Sequence, residues 1–322
     1  MTTYDPENNV KVRTAITAAT LYYLENRTMQ AIAVELGMSR SSVSRLLSYA
    51  REEGLVEITV HPPSVAPSLL EKELHSRFNI RATVVATPEH TNETDRLERV
   101  ALAAARVLPD YIDSNMSVGV AWGATMSAVA RNLSPHPTRN TQIVQLNGAA
   151  NSRTTGVLYV NEILRRFGEA FTADILQFTV PAFFDNPLTK EALWTERSVN
   201  RIVREQNNLD VAIFSVGSPR ASIPSHVYSG GYLDREDFQS LNTQNVVGDV
   251  LTVFYRADGS WADIPLNARA SGPGLDVLRA VPCRVCVCSG ITKVPSLRGA
   301  IAGNFVSDLI IDEESARALV DA

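Results

Sequence analysis

A chain of 322 residues, 45% of them hydrophobic, is long enough for about two domains and apolar enough to bury a large core. Its net charge of −5 excludes a generally basic nucleic-acid coat, so any contact with DNA has to be local. No apolar run is long enough to span a bilayer, and MTTYDPENN lacks a cationic stretch leading into an apolar one, so a cytoplasmic protein with no membrane partner is expected.

Residues 10–25 carry a helical pattern in which Val12, Ala15, Ile16, Ala19 and Tyr23 fall on one stripe. In TMQAIAVELG, Met29, Ile32, Ala33 and Leu36 repeat the stripe, and Gly37 ends it by taking the left-handed φ of a C-cap. Ser39 is a good N-cap for the next helix, where Val43, Leu46, Leu47 and Ala50 point inward. Gly54 closes that helix, and Leu55–Val60 alternates like a strand. Helix, tight glycine turn, helix and strand together predict a winged helix-turn-helix over residues 1–60.

The outward face of the second helix makes double-stranded operator DNA the expected partner. Arg40 and Arg45 are placed to pair with guanine edges or phosphates, and no acid stands between Ser39 and Arg51. Ser39, Ser41, Ser42 and Ser44 are short enough for close approach and can bond phosphates or bases.

Residues 61–68 read as a linker, because three prolines within His61–Pro67 can neither continue a strand nor sit inside a helix. Residues 69–322 form the expected second domain. Leu69, Leu70, Leu74 and Phe78 begin it with a short amphipathic helix, either a hinge, an oligomer contact or, as favoured, the first cover of that domain.

Strands are then expected at 82–86, 117–121, 142–146, 174–178, 211–216, 249–254, 284–288 and 308–312. Helical stretches fall near 94–108, 125–132, 157–167, 189–206, 234–242, 295–302 and 313–320. Short continuous apolar strands separated by helices predict an α/β, Rossmann-like, mostly parallel sheet covered on both faces.

Ligands of such sheets bind at the carboxyl ends of strands, where helix N-termini point in. Trp122-Gly123-Ala124-Thr125 offers backbone N–H groups and a hydroxyl there, suited to a phosphate. Asn147-Gly148-Ala149, Val216-Gly217-Ser218, Gly248-Asp249 and Ser289–Lys293 are further post-strand or pre-strand segments, with Lys293 able to reach a phosphate or sugar oxygen. Five such segments in one domain favour a polar small-molecule pocket.

Nucleotide-binding and nucleophile-elbow signatures are missing, and the five histidines show no metal spacing, so no metal or cofactor is expected. Cys283, Cys286 and Cys288 lack a fourth zinc ligand, and VCVC reads as a buried strand with structural thiols. Arg165-Arg166 and Arg201/Arg204 read as solvated helix faces.

The blocks IAVELGMSRSSVSRLLSYAREEGLV, VGVAWGATM, VQLNG, DVAIFSVG, VVGDVLTVFY and CSGITKVPSLRGAIAGNFVSDLIIDEESA resemble, in order and spacing, SorC/DeoR-type bacterial transcriptional regulators with a C-terminal sugar-binding domain. The resemblance implies a second domain like the sugar isomerase and coenzyme A transferase-type fold. It implies a phosphorylated sugar or polyol effector that alters DNA affinity, no catalysis, and a dimer or tetramer. It places the effector phosphate on Gly123, Ala124 and Thr125, sugar hydroxyls on Asp249 and the ligand on Lys293, and it draws in Asn267 and Arg269 from LNARASGPG.

The residue before Gly148 in VQLNG is a Lys in deoxyribonucleoside-type members, where it can form a Schiff base, and an Arg in the glycolytic-gene type. Asn147 can do neither job and suits a neutral polyol or sugar hydroxyl. The regulator expected is a repressor of a carbohydrate or polyol operon. A sugar-phosphate isomerase or deaminase fused to a DNA-binding module is the alternative, with Asp249 as base and Lys293 as stabiliser, but no second positioned acid or base stands out. A helix-turn-helix used only for protein contacts is a third.

Overall fold

The computed structural model describes residues 6–25, 27–56, 66–88 and 90–321, and the chain divides into two compact units, Met1–Pro63 and Ser64–Ala322. The strand expected at 55–60 and the linker expected at 61–68 lie largely outside the described residues; Leu55 and Val56 are irregular, and residues 66–68 already belong to a helix.

In the first unit α1 (Pro6–Ala19) runs into a π-helical turn at Thr20–Leu24, followed by α2 (Met29–Glu35) and α3 (Arg40–Glu52). Thr28 caps α2 by accepting from the Ala31 N–H at 3.2 Å, and Ser39 caps α3 by accepting from the Ser42 N–H at 3.1 Å. Gly37 takes a φ of 62°, so the chain turns between the two helices where a side chain would be strained. Ala15, Ala18, Ile32, Val43, Leu47 and Ala50 form the unit's own core, which fixes the outward face of α3 by elimination.

The second unit runs, in chain order, α4 (Ala66–Phe78), β1 (Arg81–Val85), α5 (Glu93–Val107), β2 (Ser117–Val120), α6 (Ala124–Arg131), β3 (Gln142–Gln145), α7 (Val157–Phe171) and β4 (Asp174–Leu176). It continues through α8 (Pro187–Trp194), α9 (Arg197–Gln206), β5 (Val211–Phe214), α10 (His226–Ser229), α11 (Arg235–Thr243), β6 (Val246–Val250), β7 (Val253–Arg256) and α12 (Leu275–Ala280). It closes with β8 (Cys283–Cys288), α13 (Val294–Ala302), β9 (Asp308–Asp312) and α14 (Glu313–Asp321).

Seven strands make one parallel sheet in the order β1-β9-β8-β5-β2-β3-β4. Its central strands are apolar without alternation because helices cover both faces: every residue of β5 and β9 is buried. From β2 the chain steps outward to β3 and β4, then returns to β5 and steps the other way to β8 and β9. The order reverses between β2 and β5, which is where an open α/β sheet leaves a crevice at its carboxyl ends. The α4 helix inserts Leu70 and Leu74 into this core, so it covers the domain as favoured from sequence.

Two expected elements change. The run 249–254 is not a strand of the sheet but the middle of an antiparallel hairpin, β6–β7, with Leu251 (φ 55°) and Thr252 (φ 68°) both left-handed at its turn. DVLTVF contains no Gly, Pro or Asn to announce that turn, and a β-branched residue there stores strain of about 1–3 kcal/mol. The helix expected at 189–206 is two helices, α8 and α9, broken at Thr195-Glu196. The cysteines are free, as VCVC implied, and burial pushes the thiols of Cys283 and Cys288 up to about 12, where they stay protonated and inert.

Candidate effector cleft and DNA-reading helix

In the first unit, Ser39, Arg40, Ser41, Ser44 and Arg45 are exposed and Ser42 is half-buried. Ser39 Oγ is engaged as the cap and also bonds the hydroxyls of Ser41 and Ser42, at 2.8 and 2.9 Å. Three of the four serines therefore organise the first turn of α3, and Ser44 with the two arginines is left facing outward. Arg51, by contrast, is tied to Ser48 Oγ at 3.2 Å.

In the second unit a cleft of about 740 Å³, counted out to its open mouth, lies over the crevice between β2 and β5. It is lined at the β2 end by Trp122, Gly123, Ala124 and Thr125, at the β3 end by Asn147, and at the β8 end by Ser289, Thr292 and Lys293. Gly217 and Asp249 close one wall, and the segment 221–227 closes another.

Each wall has a local cause. Gly123 (φ 141°) starts α6 with no side-chain cap, so the amides of the first turn remain available to a ligand oxygen. Trp122 is held edge-in by donating from Nε1 to the carbonyls of Asn147 (3.2 Å) and Gly148 (2.9 Å), and it stacks on Tyr232 at 5.3 Å. Gly217 pairs with Asp249 through N–H to O at 2.8 Å and O to N–H at 3.3 Å; a Cβ on Gly217 would collide with the Asp249 carboxylate. The strained turn next to it is pinned by the Thr252 N–H donating to Asp249 Oδ2 at 3.3 Å. The wall at 218–226 is tied across to the β8 end: Ser222 N–H donates to Thr292 Oγ1 at 3.1 Å, and Ser218 N–H to Ser225 Oγ at 3.1 Å.

Among the described residues, two buried side-chain oxygens of cleft-lining residues have no hydrogen-bond partner, Asn147 Oδ1 and Asp249 Oδ1, the latter with the buried Tyr228 hydroxyl as its neighbour. Leaving each unpaired costs on the order of 1–3 kcal/mol, which a ligand hydroxyl donating to it would recover. Burial pushes the Asp249 carboxyl up to about 6; the neighbouring Tyr228, the Thr252 amide and the charge of Lys293 keep it from rising further. Burial also lowers the pKa of His226 below its ordinary 6.5, so its ring faces the cleft neutral at pH 7.

The sequence-expected residues therefore divide. Gly123, Ala124, Thr125, Asn147, Gly217, Asp249 and Lys293 are brought together in the cleft. Gly148, Asn267 and Arg269 are not. Gly148 packs against the carbonyls of Val180 and Pro181 and donates its N–H to Ser271 Oγ at 2.9 Å. Asn267 spends its amide on the Phe254 N–H (2.8 Å) and on the carbonyls of Phe254 and Trp261 (both 2.9 Å), holding the chain after β7. Arg269 binds Asp237 at 2.8 Å and the Phe184 carbonyl at 2.6 Å. Their polar capacity is consumed by the fold. Sequence reasoning missed Glu93, Ser222, Ser225 and His226, which reach the cleft from loops and helix starts that carry no strand-end signal, whereas Thr292 belongs to the expected Ser289–Lys293 segment.

Residues 63–321 match the sugar-binding domain family of regulators, and residues 9–64 match the MarR helix-turn-helix family. The chain is 32% identical over 314 residues to the deoxyribonucleoside regulator of Bacillus subtilis (strain 168), covering 97% of this chain and 98% of that one. The chain is a SorC/DeoR-type transcriptional regulator. It is also 26% identical over 318 residues to the sorbitol operon regulator of Klebsiella pneumoniae, 98% and 99% of the two chains. The crystal structure of full-length SorC from Klebsiella pneumoniae shares the fold at a TM-score of 0.81, with 24% identity, over 99% of this regulator and 100% of that chain. A domain of a possible sugar-binding transcriptional regulator from Arthrobacter aurescens TC1 superposes at 0.76 with 48% identity, over 81% of this chain and 100% of that one. Among the described residues, no helix of the regulator is long and apolar enough to cross a membrane, and no cluster of His, Cys, Asp or Glu could hold a metal.

Proposed function

We propose that this regulator reads its operator with Arg40, Ser44 and Arg45 of α3 and is switched by a sugar or polyol, free or phosphorylated, bound in the cleft between β2 and β5. The observation that carries the effector half is the convergence on one cleft of Asn147, Asp249, Thr125, Lys293 and the open first turn of α6, with Asn147 Oδ1 unpartnered among the described residues. The relatives named as regulators support a receptor rather than an enzyme. The reading extends to repression of a carbohydrate operon in the cytoplasm by an oligomer whose two arrangements differ in effector affinity; the relatives named as a deoxyribonucleoside regulator and a sorbitol operon regulator support its carbohydrate part.

The test is a double dissociation on the full chain. Arg45→Ala should weaken operator binding roughly tenfold or more at fixed salt, measured by fluorescence anisotropy, with the ligand-induced thermal shift unchanged. Lys293→Ala should keep operator affinity but lose the thermal shift given by sugars, polyols and their phosphates. Release of DNA by a sugar with Lys293 replaced would overturn the cleft assignment.

A further inference from the structure

Asp249 is anchored through its neighbours. Its backbone pairs with Gly217, its Oδ2 accepts from the Thr252 N–H, and its Oδ1 lies over Gly217, where an added Cβ would overlap it. The polar groups next to it are already engaged: Ser296 Oγ donates to the Gly217 carbonyl at 2.6 Å, and the Tyr255 hydroxyl bonds Ser296 Oγ at 2.9 Å. Tyr228 is the exception. It belongs to α10, on the wall that follows β5, and its ring packs edge-on against Phe254 at 6.2 Å. The residue is half-buried, yet its hydroxyl is sealed from solvent beside the Asp249 carboxyl.

Neither Tyr228 Oη nor Asp249 Oδ1 has a hydrogen-bond partner among the described residues. Two buried polar atoms left unspent side by side are costly, and pairing them removes both costs. The Cβ–Cγ torsion of an aspartate is soft, so a small turn of the carboxyl closes the bond. After accepting from Tyr228, Oδ1 keeps a second lone pair for a hydroxyl in the cleft. Asp249 lines the cleft and Tyr228 does not, so Tyr228 can act on a ligand only through the carboxyl.

We propose that Tyr228 is a positioning residue for the effector: from outside the cleft, its hydroxyl holds the Asp249 carboxyl as an acceptor of effector hydroxyls. The proposal rests on the cleft being the effector site, and it leaves the phosphate of a sugar phosphate to the first turn of α6. A buried carboxyl with no donor beside it takes up a proton and turns from acceptor into donor. Burial pushes Asp249 up to about 6, while Tyr228, the Thr252 amide and Lys293 act against that rise. Tyr255 also faces the pair, from β7. Burial pushes both tyrosines well above 10, so they stay neutral where Asp249 titrates.

The experiment compares the full-length wild type, Tyr228→Phe, Asp249→Asn and the double variant between pH 5 and pH 9. Tyr228→Phe keeps the ring on Phe254 and removes only the hydroxyl. The first measurement is urea stability without ligand. The loss that wild type shows as pH rises through about 6 should run on to about 7 in Tyr228→Phe and vanish with Asp249→Asn. The second follows binding of a hexitol 6-phosphate by tryptophan fluorescence. Tyr228→Phe should match wild type at pH 9, bind about twofold more weakly at pH 7 and about tenfold more weakly at pH 5. Taking the ratio at each pH cancels the titrations of the probe and of His226. A ratio that is the same at every pH, or a stability profile unmoved by Tyr228→Phe, overturns the positioning role. A moved stability profile with no probe affinity sensitive to Asp249→Asn keeps the hold of Tyr228 on Asp249 and breaks the effector reading of the cleft. Should Tyr228→Phe not fold, the double variant decides: folding restored by Asp249→Asn supports the pairing, and no restoration overturns it.

Discussion

On α3 the groups offered to a ligand are exposed, close in sequence and unencumbered; in the cleft they are buried, drawn from four strand ends and a hairpin, and held by other polar groups. Among the described residues, Arg40 and Arg45 make no hydrogen bond or ion pair, and their positions follow from one amphipathic stripe. Asp249 stands where it does because Gly217 lets its backbone approach, Thr252 accepts a left-handed φ and Ser296 bonds the Gly217 carbonyl at 2.6 Å. A surface reader can lose one side chain without disturbing its scaffold. A buried receptor cannot, because the groups that touch the ligand are also structural.

That contrast sets the expected size of each perturbation. Gly217→Ala should be the most damaging, since the added methyl meets the Asp249 carboxylate; a loss of about 3 kcal/mol in urea denaturation of the second unit is expected, together with loss of the effector response. A neutral result would mean that the Gly217–Asp249 pairing relaxes freely and the cleft is not preorganised.

Asp249 gives a pH signature of similar size. Its pKa of about 6 in the fold lies above the ordinary 3.8, so its contribution to the stability of the unliganded protein is full below 3.8 and is lost as pH rises through about 6. The span is worth about 3 kcal/mol, and Asp249→Asn should flatten that part of the stability profile. An unchanged profile would place the titration elsewhere. At the other end of the scale, Ser39→Ala removes the α3 cap and should cost the first unit only about 1 kcal/mol, visible as a lower Tm for that unit and a modest loss of operator affinity, with ligand binding intact.

The helix-turn-helix was legible in the sequence because its information is local: a Ser cap, a glycine with positive φ and a stripe of period 3.6 all act within a few residues. The parallel sheet was legible for the same reason, since strands buried on both faces show as continuous apolar runs. The cleft was legible only in part. Residues following a strand were found by rule, and six of them converge with Asp249, which lies in the β6–β7 hairpin. Glu93 and His226 were not, because nothing near them in sequence says which strand ends they face. Asn267 and Arg269 were expected in the cleft and proved to be pins of the fold, a distinction that rests on which partners consume their hydrogen bonds.

By itself, the sequence determined that this chain carries a helix-turn-helix followed by a doubly covered α/β domain, because periodicity, caps and apolar runs are properties of neighbouring residues. Only the tertiary structure decided that a run read as one strand turns back on itself at Leu251-Thr252, that the strand order reverses between β2 and β5, and that Asp249 is brought against Gly217. Those facts depend on which distant segments share space, and charge and burial act through space rather than along the chain.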